Sequence, residues 1–275
     1  MKELNIAIPS SVLSIEHGLL LKTIKVFQIV RYTSIFGVSN LLIYRDPYTG
    51  IHKHREYLRV FTKIWKYLTT PPYLRKKLVS LDPMLKHAGI LPPLRLLVFD
   101  VSKSGSIGEK RLGIVVGRGR DKADIGLKKA FSIDNPEDCL TIRGFIYVEI
   151  LSMNPPIVKC ISEKPYIGPE LRSAISLKEI IRTYSERCVI VATSRRGTTP
   201  STRELIEVSR ASCVTVLFGA PRYGLYEIAE KEGFRLEHST KYIWNTIPDQ
   251  KVKTVRTEEA LIATLAILNF HKIYS

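Results

Sequence analysis

Short apolar segments alternate with helical segments along most of this chain, and a β-rich block interrupts that alternation near its middle. Alternating strands and helices indicate a largely parallel sheet with helices packed on it. Short strands at close spacing instead indicate a small barrel. We therefore predict one α/β domain, made of residues 1–95 and 166–275, that is interrupted by a β-barrel insert at residues 96–165.

The two parts of the chain differ in the elements that we expect of them. In the α/β part, apolar runs predict strands at residues 5–8, 41–44, 189–192, 214–218 and 242–244. Helices are expected at residues 15–31, 52–68 and 257–269, and from about residues 177, 201 and 225. In the insert, apolar runs predict short strands at residues 96–100, 111–118, 123–133, 140–151 and 157–161.

The composition excludes several classes of protein. The 275 residues carry a formal net charge of +16 and are 45% hydrophobic, which is too apolar for a disordered chain. No window approaches 18 uninterrupted apolar residues, so we expect no membrane span and no membrane partner. The four cysteines are scattered without a C-x-x-C pair, which favours a reducing cytoplasm over a secreted disulfide framework. The positive charge points first to nucleic acid as a partner.

The excess positive charge lies in the first third of the chain, where residues 1–96 hold 15 basic and 5 acidic side chains. The predicted helix at residues 52–68 has one apolar face and another face that is basic. Basic side chains can neutralise phosphates without base-specific geometry. A solvated surface face is the alternative. The candidate phosphate-binding residues are Arg55, Arg59, Lys63, Lys66, Arg75, Lys76 and Lys77.

Several familiar motifs fail when their spacing is checked. Gly117 and Gly119 resemble the start of a dinucleotide fingerprint, but the third glycine is missing and no helix is expected to follow. Gly108 and Gly113 have phosphate-loop spacing, but Ile114 stands where the lysine is needed. The six histidines form no ligand set, so we expect no metal.

Three polar segments each follow an apolar strand in the last third of the chain. They cover residues 193–199, 219–224 and 245–250, and the third leads on to residues 254–261 at the start of the last helix. In an open α/β sheet, ligands bind outside the carboxyl ends of the strands. We therefore predict that the three segments form a ligand pocket. Glycine and proline in any one of them could instead serve only to make a turn.

The strings TSRRG, FGAPRYGL and NTIPDQ, with the following TVRTEEAL, resemble the three cofactor loops of the SPOUT class of RNA methyltransferases. More narrowly, nearly the whole chain resembles the archaeal and eukaryotic RNA methylase branch of that class. The resemblance implies a Rossmann-like α/β domain with a trefoil knot near its C-terminus, interrupted by an OB-like barrel. Because knots are rare in proteins, this topology is implied by the resemblance alone.

The resemblance implies S-adenosylmethionine as the cofactor, held mostly by backbone groups of the three loops. A glycine at position 219 suits that role, because a ligand can approach a backbone closely where there is no Cβ. Pro221 is assigned mainly to loop shape. The implied cofactor-binding residues are Thr193, Arg196, Gly219, Pro221, Gly224, Asn245, Thr246, Ile247 and Thr257.

The RTEEA string supplies the candidate catalytic residues, Arg256 and Glu258. Arg256 would hold the target base or a phosphate, and Glu258 would orient a partner or help to remove a proton. A glutamate at a helix start more commonly caps the helix or interacts with its dipole, and that alternative stays open. The string also resembles a loop of uridine N3 methyltransferases that act on ribosomal RNA. The chain departs from those enzymes at residues 248–250, so the methylated atom, on a base or a ribose, stays open.

RNA, such as ribosomal RNA, is the partner that the resemblance implies, together with a homodimer whose cofactor pocket lies near the subunit interface. OB-like barrels bind single strands through aromatic and basic side chains. Phe131 is the aromatic candidate here, and the basic candidates are Arg118, Arg120 and Lys128. Two alternatives remain: a non-catalytic RNA-binding or assembly protein that keeps the fold, and a DNA-binding module.

Overall fold

The computed structural model describes residues 3–117 and 119–273, and its chain divides into two compact units. The α/β unit consists of Met1–Trp65, Met84–Leu91 and Gly168–Ser275. The barrel unit consists of Lys66–Pro83 and Pro92–Ile167. None of the helices among the described residues is both long and apolar enough to cross a membrane.

Eleven strands and eight α-helices are named here in chain order. The strands are β1 (Glu3–Pro9), β2 (Asn40–Tyr44), β3 (Lys110–Val116), β4 (Lys122–Asp124), β5 (Phe131–Ile133), β6 (Ile146–Met153), β7 (Pro156–Cys160), β8 (Glu170–Ala174), β9 (Val189–Thr198), β10 (Cys213–Leu217) and β11 (Tyr242–Trp244). The helices are α1 (Gly18–Ile35), α2 (Ile51–Thr69), α3 (Pro72–Leu78), α4 (Leu177–Tyr184), α5 (Thr202–Arg210), α6 (Leu225–Lys231), α7 (Leu236–Ser239) and α8 (Thr257–Ile273).

The α/β unit is built on a six-stranded sheet in the order β11-β9-β10-β1-β2-β8, in which every neighbouring pair is parallel. All residues of β2 and β10 are buried, because both faces of the sheet are covered by helices. One face packs against apolar side chains of α4 and α6, such as Ile180 and Ile228. Helix α8 contacts both α1 and α5. The predicted parallel α/β architecture is confirmed.

Two differences from expectation concern the sheet. Strand β8 was not predicted, because the string ELRSA is polar and its residues are exposed or half-buried at one edge of the sheet. Strand β9 was expected to end at residue 192, but it extends to Thr198. Within the polar segment predicted at residues 193–199, Thr198 pairs again with β11 after an irregularity in register. The strand therefore continues to the end of that segment.

The barrel unit contains a closed five-stranded barrel in the order β3-β4-β5-β7-β6. Its core includes Ile125, Val148 and Val158. The strand expected at residues 96–100 is wrong, since Leu97–Phe99 forms a short 3-10 helix there. The run at residues 123–133 is broken into two strands, β4 and β5. Phe131 is buried in the barrel core, so the expectation that it stacks on a nucleotide is wrong.

All four cysteines are paired. Cys139 bonds Cys160 in the barrel unit, and Cys188 bonds Cys213 in the α/β unit. The fold brings the Cα atoms of these pairs to 5.1 and 4.5 Å, although they are 21 and 25 residues apart in the chain. The spacing of the cysteines in the sequence did not predict these disulfides. Because all four cysteines are paired, they no longer support the expectation of a reducing compartment.

Candidate active site

A cavity of about 570 Å³ lies in the α/β unit, where β9, β10 and β11 end. The three strands are neighbours in the sheet, so the segments that follow them meet at one edge. All three polar segments singled out in the sequence contribute to the cavity wall, and so does the start of α8. Two regions from the first part of the chain join them, around Val12 and at Lys25.

The first segment bulges out of β9. Ala192 pairs with Ile243, and the next pairing joins Thr198 to Trp244, so five residues of β9 lie between two consecutive residues of β11. Thr193 ties the start of this bulge to β10, because its hydroxyl donates to the Leu217 carbonyl at 2.8 Å. At the far end, the Asn245 backbone N–H donates to the Thr198 carbonyl at 2.8 Å.

Two glycines allow backbones to approach closely around the cavity. A Cβ on Gly197 would lie 2.5 Å from the carbonyl oxygen of Ile243. A Cβ on Gly219 would lie 3.0 Å from the Cα of Gly224 and 3.1 Å from the backbone nitrogen of Leu225. Only glycine fits between these backbone atoms without displacing them.

A buried tyrosine supports the second segment from β2. The Tyr44 hydroxyl donates to the Phe218 carbonyl at 2.7 Å. Burial raises the pKa of Tyr44 well above its ordinary value, and the charges of Asp46 and Glu232 raise it further. The phenol therefore stays protonated at neutral pH and keeps donating to the backbone just before Gly219.

The third segment is organised by Asn245. Its side-chain nitrogen donates to the Arg195 carbonyl at 3.2 Å, and its side-chain oxygen accepts from the Ile247 backbone N–H at 3.1 Å. Asn245 therefore connects the bulge of β9 to the segment that follows β11. The hydroxyls of Thr246 and Thr264 lie 2.8 Å apart, which ties the same segment to α8.

The structure brings together all the residues that the resemblance assigns to the cofactor. The cavity is lined by Thr193, Arg196, Gly219, Pro221, Gly224, Asn245, Thr246, Ile247 and Thr257. Arg196 is exposed and already engaged, since its guanidinium lies 2.6 Å from Glu227 and 4.4 Å from the ring centre of Tyr226.

The two candidate catalytic residues also line the cavity, but their surroundings differ. Arg256 is exposed over 57% of its side chain. Glu258 is buried, and its Oε1 accepts a hydrogen bond of 2.7 Å from Lys25 Nζ. The helix-capping contact is made by the next residue, because the Arg256 backbone N–H donates to the Glu259 carboxylate at 2.8 Å. Glu258 is thus free of that capping role.

Sequence reasoning missed Lys25, Glu16 and an exposed pair of tyrosines. Lys25 is one of two lysines in an apolar helix, and nothing in its spacing shows that it is buried. Tyr48 and Tyr223 stack with ring centres 3.7 Å apart, although both are more than one-third exposed. Tyr223 stands between the cavity residues Arg222 and Gly224. An aromatic residue next to a glycine turn was a signal that could have been used.

The candidate RNA-binding residues are distributed over both units. Arg55, Arg59 and Lys66 are exposed on α2, and Lys63 is half-buried there. In the barrel unit Lys76, Arg120 and Lys128 are exposed. Arg75 stacks on Tyr67 and Lys77 pairs with Asp124, so these two are engaged within the unit. Arg118 lies outside the described residues. No group of three metal-ligating side chains occurs within residues 3–117 and 119–273.

Comparison with known proteins identifies the family. A family model described as "Putative RNA methyltransferase" matches residues 3–268, which is almost the whole chain. The chain belongs to this family. The recognition of a SPOUT-class RNA methyltransferase is confirmed, and so is the expectation of an enzyme.

Relatives of this RNA methyltransferase span its length. An uncharacterized protein of Halobacterium salinarum is 29% identical over 282 residues, covering 96% of this chain and 98% of the relative. The 28S rRNA (uridine-N(3))-methyltransferase of Homo sapiens is 27% identical over 304 residues, covering 96% and 77%. The structure of the SpoU methyltransferase AviRb from Streptomyces viridochromogenes has a TM-score of 0.39 at 9% identity. That alignment covers 99% of this chain and 60% of AviRb.

Proposed function

We propose that this RNA methyltransferase transfers a methyl group from S-adenosylmethionine to a base of a structured RNA such as ribosomal RNA. The observation that carries the proposal is the cavity at the ends of β9, β10 and β11, because it is lined by the three segments that resemble cofactor loops. Its volume of about 570 Å³ lies within the usual range for small-molecule and cofactor sites.

Two features of the cavity suit S-adenosylmethionine. The backbones at Gly219 and Gly224, which both line the cavity, approach so closely that a Cβ on Gly219 would lie 3.0 Å from the Gly224 Cα. Trp244 lines the cavity, and its buried Nε1 has no hydrogen-bond partner among the described residues. Buried donors are seldom left unpaired, so a ligand acceptor is an expected partner for this N–H. The donor set of backbone groups, an indole N–H and Asn245 fits a nucleoside with polar edges.

The proposed roles of the residues follow from these positions. S-adenosylmethionine, when bound, supplies a methyl group on a positively charged sulfur. Gly219, Gly224, Thr246, Ile247 and Thr257 would hold it through the backbones of the second and third segments, with Thr193, Arg196, Pro221 and Asn245 shaping the wall. Arg256, which is exposed at the cavity, would hold a phosphate or base of the RNA. Alignment of the target base with the methyl group would then account for most of the rate acceleration.

Uridine N3 is the first candidate for the methylated atom. Relatives of human, fly and mouse origin carry the name 28S rRNA (uridine-N(3))-methyltransferase, and each aligns with 96% of this chain. The decisive experiment is mass spectrometry of nucleosides from RNA that has been incubated with the protein and isotopically labelled S-adenosylmethionine. We expect labelled N3-methyluridine. Absence of any labelled nucleoside from unmodified ribosomal RNA transcripts would contradict the proposal and would favour a non-catalytic RNA-binding role.

Asn245→Ala is expected to weaken binding of S-adenosylmethionine without unfolding the protein. The substitution removes a hydrogen bond to the Arg195 carbonyl, which connects the third segment to the bulge of β9, and a second from the Ile247 N–H within the third segment. Each such bond contributes about 1 kcal/mol, so the loss of both is expected to weaken binding about 30-fold in a calorimetric titration. Asn269→Ala, on the exposed side of α8, is the matched control. Equal affinities of the two variants for S-adenosylmethionine would show that Asn245 does not contribute to binding.

Double charge reversal on α2, Arg55→Glu with Arg59→Glu, is expected to weaken RNA binding and to flatten its salt dependence. Both side chains are exposed and lie one helical turn apart. Each phosphate contact that is lost lowers the slope of log affinity against log salt by about 1. The control is Lys178→Glu with Arg182→Glu, an exposed pair of the same spacing on α4. If both double variants bind RNA alike, the proposed role of α2 is wrong.

We also propose a trefoil knot, an OB-like insert, a homodimer and a cytoplasmic location. The trefoil knot is supported by the sheet order, in which β11 lies beside β9 on the side away from β10. The OB-like character of the insert, at residues 96–165, is supported by the closed five-stranded barrel. A homodimer is supported by α1 and α8, which pack together and expose Leu20, Leu21 and Phe270. A cytoplasmic location is proposed because it suits an enzyme that acts on ribosomal RNA.

A further inference from the structure

Three buried charged side chains meet beside the cavity. Lys25 of α1 is 3% exposed, and its Nζ lies 2.6 Å from Glu16 Oε1 and 2.7 Å from Glu258 Oε1. The two carboxylate side chains are themselves 9% and 5% exposed. Lys25 and Glu258 line the cavity wall. The cluster joins α1 to the first turn of α8, through Lys25 and Glu258, which are 233 residues apart in the chain.

The charges of this cluster do not balance. One ammonium group faces two carboxylates, so one negative charge is in excess. Another cation, Arg256, lies 3.7 Å from Glu16 Oε1, but more than half of its side chain is exposed. Burying an uncompensated charge costs free energy, and a cluster of this kind is weak evidence for a stabilising role. Stability alone therefore does not explain why these charges are buried together.

The two oxygens of Glu258 have different surroundings. Oε1 accepts the hydrogen bond from Lys25. Oε2 is buried and has no hydrogen-bond partner among the described residues. An ionised carboxylate can accept several hydrogen bonds, so Glu258 keeps an acceptor without a partner in the cavity wall. A ligand that presents an N–H group would supply the missing donor.

We propose that Lys25 is a positioning residue that orients the Glu258 carboxylate through its hydrogen bond to Oε1, with Oε2 placed to accept the proton of a ring N–H on the target base. This inference rests on the proposed function of methyl transfer to RNA. It restricts the target to a base whose reacting ring nitrogen carries a hydrogen, such as N3 of uracil. It disfavours the ring nitrogens of adenine, which carry none.

The step balances with the methyl donor as the co-reactant. The bond between the methyl carbon and sulfur breaks and its electron pair stays on sulfur, while the ring nitrogen forms a new bond to the methyl carbon. The proton of the ring nitrogen goes to Glu258 Oε2, so the positive charge of the sulfonium and the negative charge of the carboxylate are both removed. Glu258 afterwards releases its proton to water. Lys25 keeps its charge throughout and does not touch the base.

The test compares single-turnover methylation by Lys25→Met, Lys25→Arg and Glu258→Gln across pH, with unmodified large-subunit ribosomal RNA transcripts as substrate. Glu258→Gln should lower the rate about 100-fold or more, since it removes the proton acceptor. Lys25→Met should move the acidic limb of the rate profile to higher pH by about one unit or more, because Glu258 loses its neighbouring cation. Lys25→Arg, which restores a cation, should recover part of the wild-type profile.

A matched control and a second readout separate positioning from a purely structural role. Lys22→Met removes another ion-paired lysine of α1, whose partner is Glu56 at 3.7 Å, and should leave the profile unchanged. Calorimetric titration of Glu258→Gln with S-adenosylmethionine should give wild-type affinity within about threefold, because Glu258 is assigned to the base. A large loss of affinity there would assign Glu258 to the cofactor and would overturn the inference.

The outcomes distinguish this inference from the proposed function. A wild-type protein that methylates no RNA would overturn both. An active wild-type protein whose pH profile is unchanged in Lys25→Met would overturn the positioning role alone. If Lys25→Met does not fold, Glu16→Gln provides the test, since removing a competing carboxylate should move the acidic limb to lower pH. If the acidic limb of the pH–rate profile does not move in Glu16→Gln, the inference is contradicted. A product methylated on ribose would also contradict it.

Discussion

Replacing Gly197 with alanine is expected to force β9 and β11 apart and to abolish binding of S-adenosylmethionine. The added Cβ would lie 2.5 Å from the Ile243 carbonyl oxygen and 2.8 Å from the carbonyl carbons of Ile243 and Trp244. These are backbone atoms, so no side-chain rotation relieves the contact. Overpacking typically lowers the free energy of unfolding by up to about 3 kcal/mol, and we expect Gly197→Ala to lie near that upper value.

The effect on binding should exceed the effect on folding. Gly197 lies in the bulge of β9, and β11 leads directly into Asn245 and the third segment of the cavity wall. Chemical denaturation and calorimetric titration of the same preparation measure the two effects. Gly89→Ala is the control, because a Cβ at Gly89 meets no atom within 4 Å. Gly197→Ala with the stability and affinity of that control would show that the two strands do not limit the cavity as described.

Arg111→Met is expected to destabilise the barrel unit by about 3–5 kcal/mol, the usual cost of removing one partner of a buried ion pair. The guanidinium donates to Glu109 Oε1 at 2.7 Å, to the Ser102 carbonyl at 2.9 Å and to the Ile125 carbonyl at 3.2 Å. Its side chain is only 2% exposed. Methionine fills a similar volume but leaves these acceptors unpaired.

The neighbouring residue on β3 provides a matched control for Arg111. Lys110 pairs with Glu163 at 3.2 Å, and both side chains are about half exposed. Water and salt screen such a pair, so Lys110→Met should cause no measurable change. Differential scanning calorimetry of both variants tests the contrast. Equal unfolding temperatures would mean that the Arg111 network contributes nothing to the stability of the barrel.

Much of the fold could be predicted from hydrophobic patterning, because buried strands leave strong signals. The apolar runs of β1, β2 and β10 lie between two layers of helices, and they were predicted within one or two residues. The amphipathic face of α2 was equally clear, with Phe61 and Ile64 fully buried. Strand β8 was missed because half-buried polar residues at a sheet edge carry no such signal.

Less of the candidate site than of the fold could be predicted from the sequence. Glycine-rich and polar segments after strands predicted which parts of the chain meet, and the cavity is lined by all three of them. Sequence spacing could not show that Lys25 is buried against Glu258, since that contact joins residues 233 positions apart. The sequence also could not show which carboxylate oxygen of Glu258 has a hydrogen-bond partner. Long-range contacts of this kind depend on the packing of α1 against α8.

We expect the cavity at the ends of β9, β10 and β11 to bind the methyl donor. Isothermal titration calorimetry of the wild-type protein with S-adenosylmethionine tests it most directly, with Gly197→Ala as the comparison. The account predicts saturable binding at one site per chain, and no detectable heat of binding for the variant. No binding by the wild-type protein at millimolar S-adenosylmethionine would contradict it.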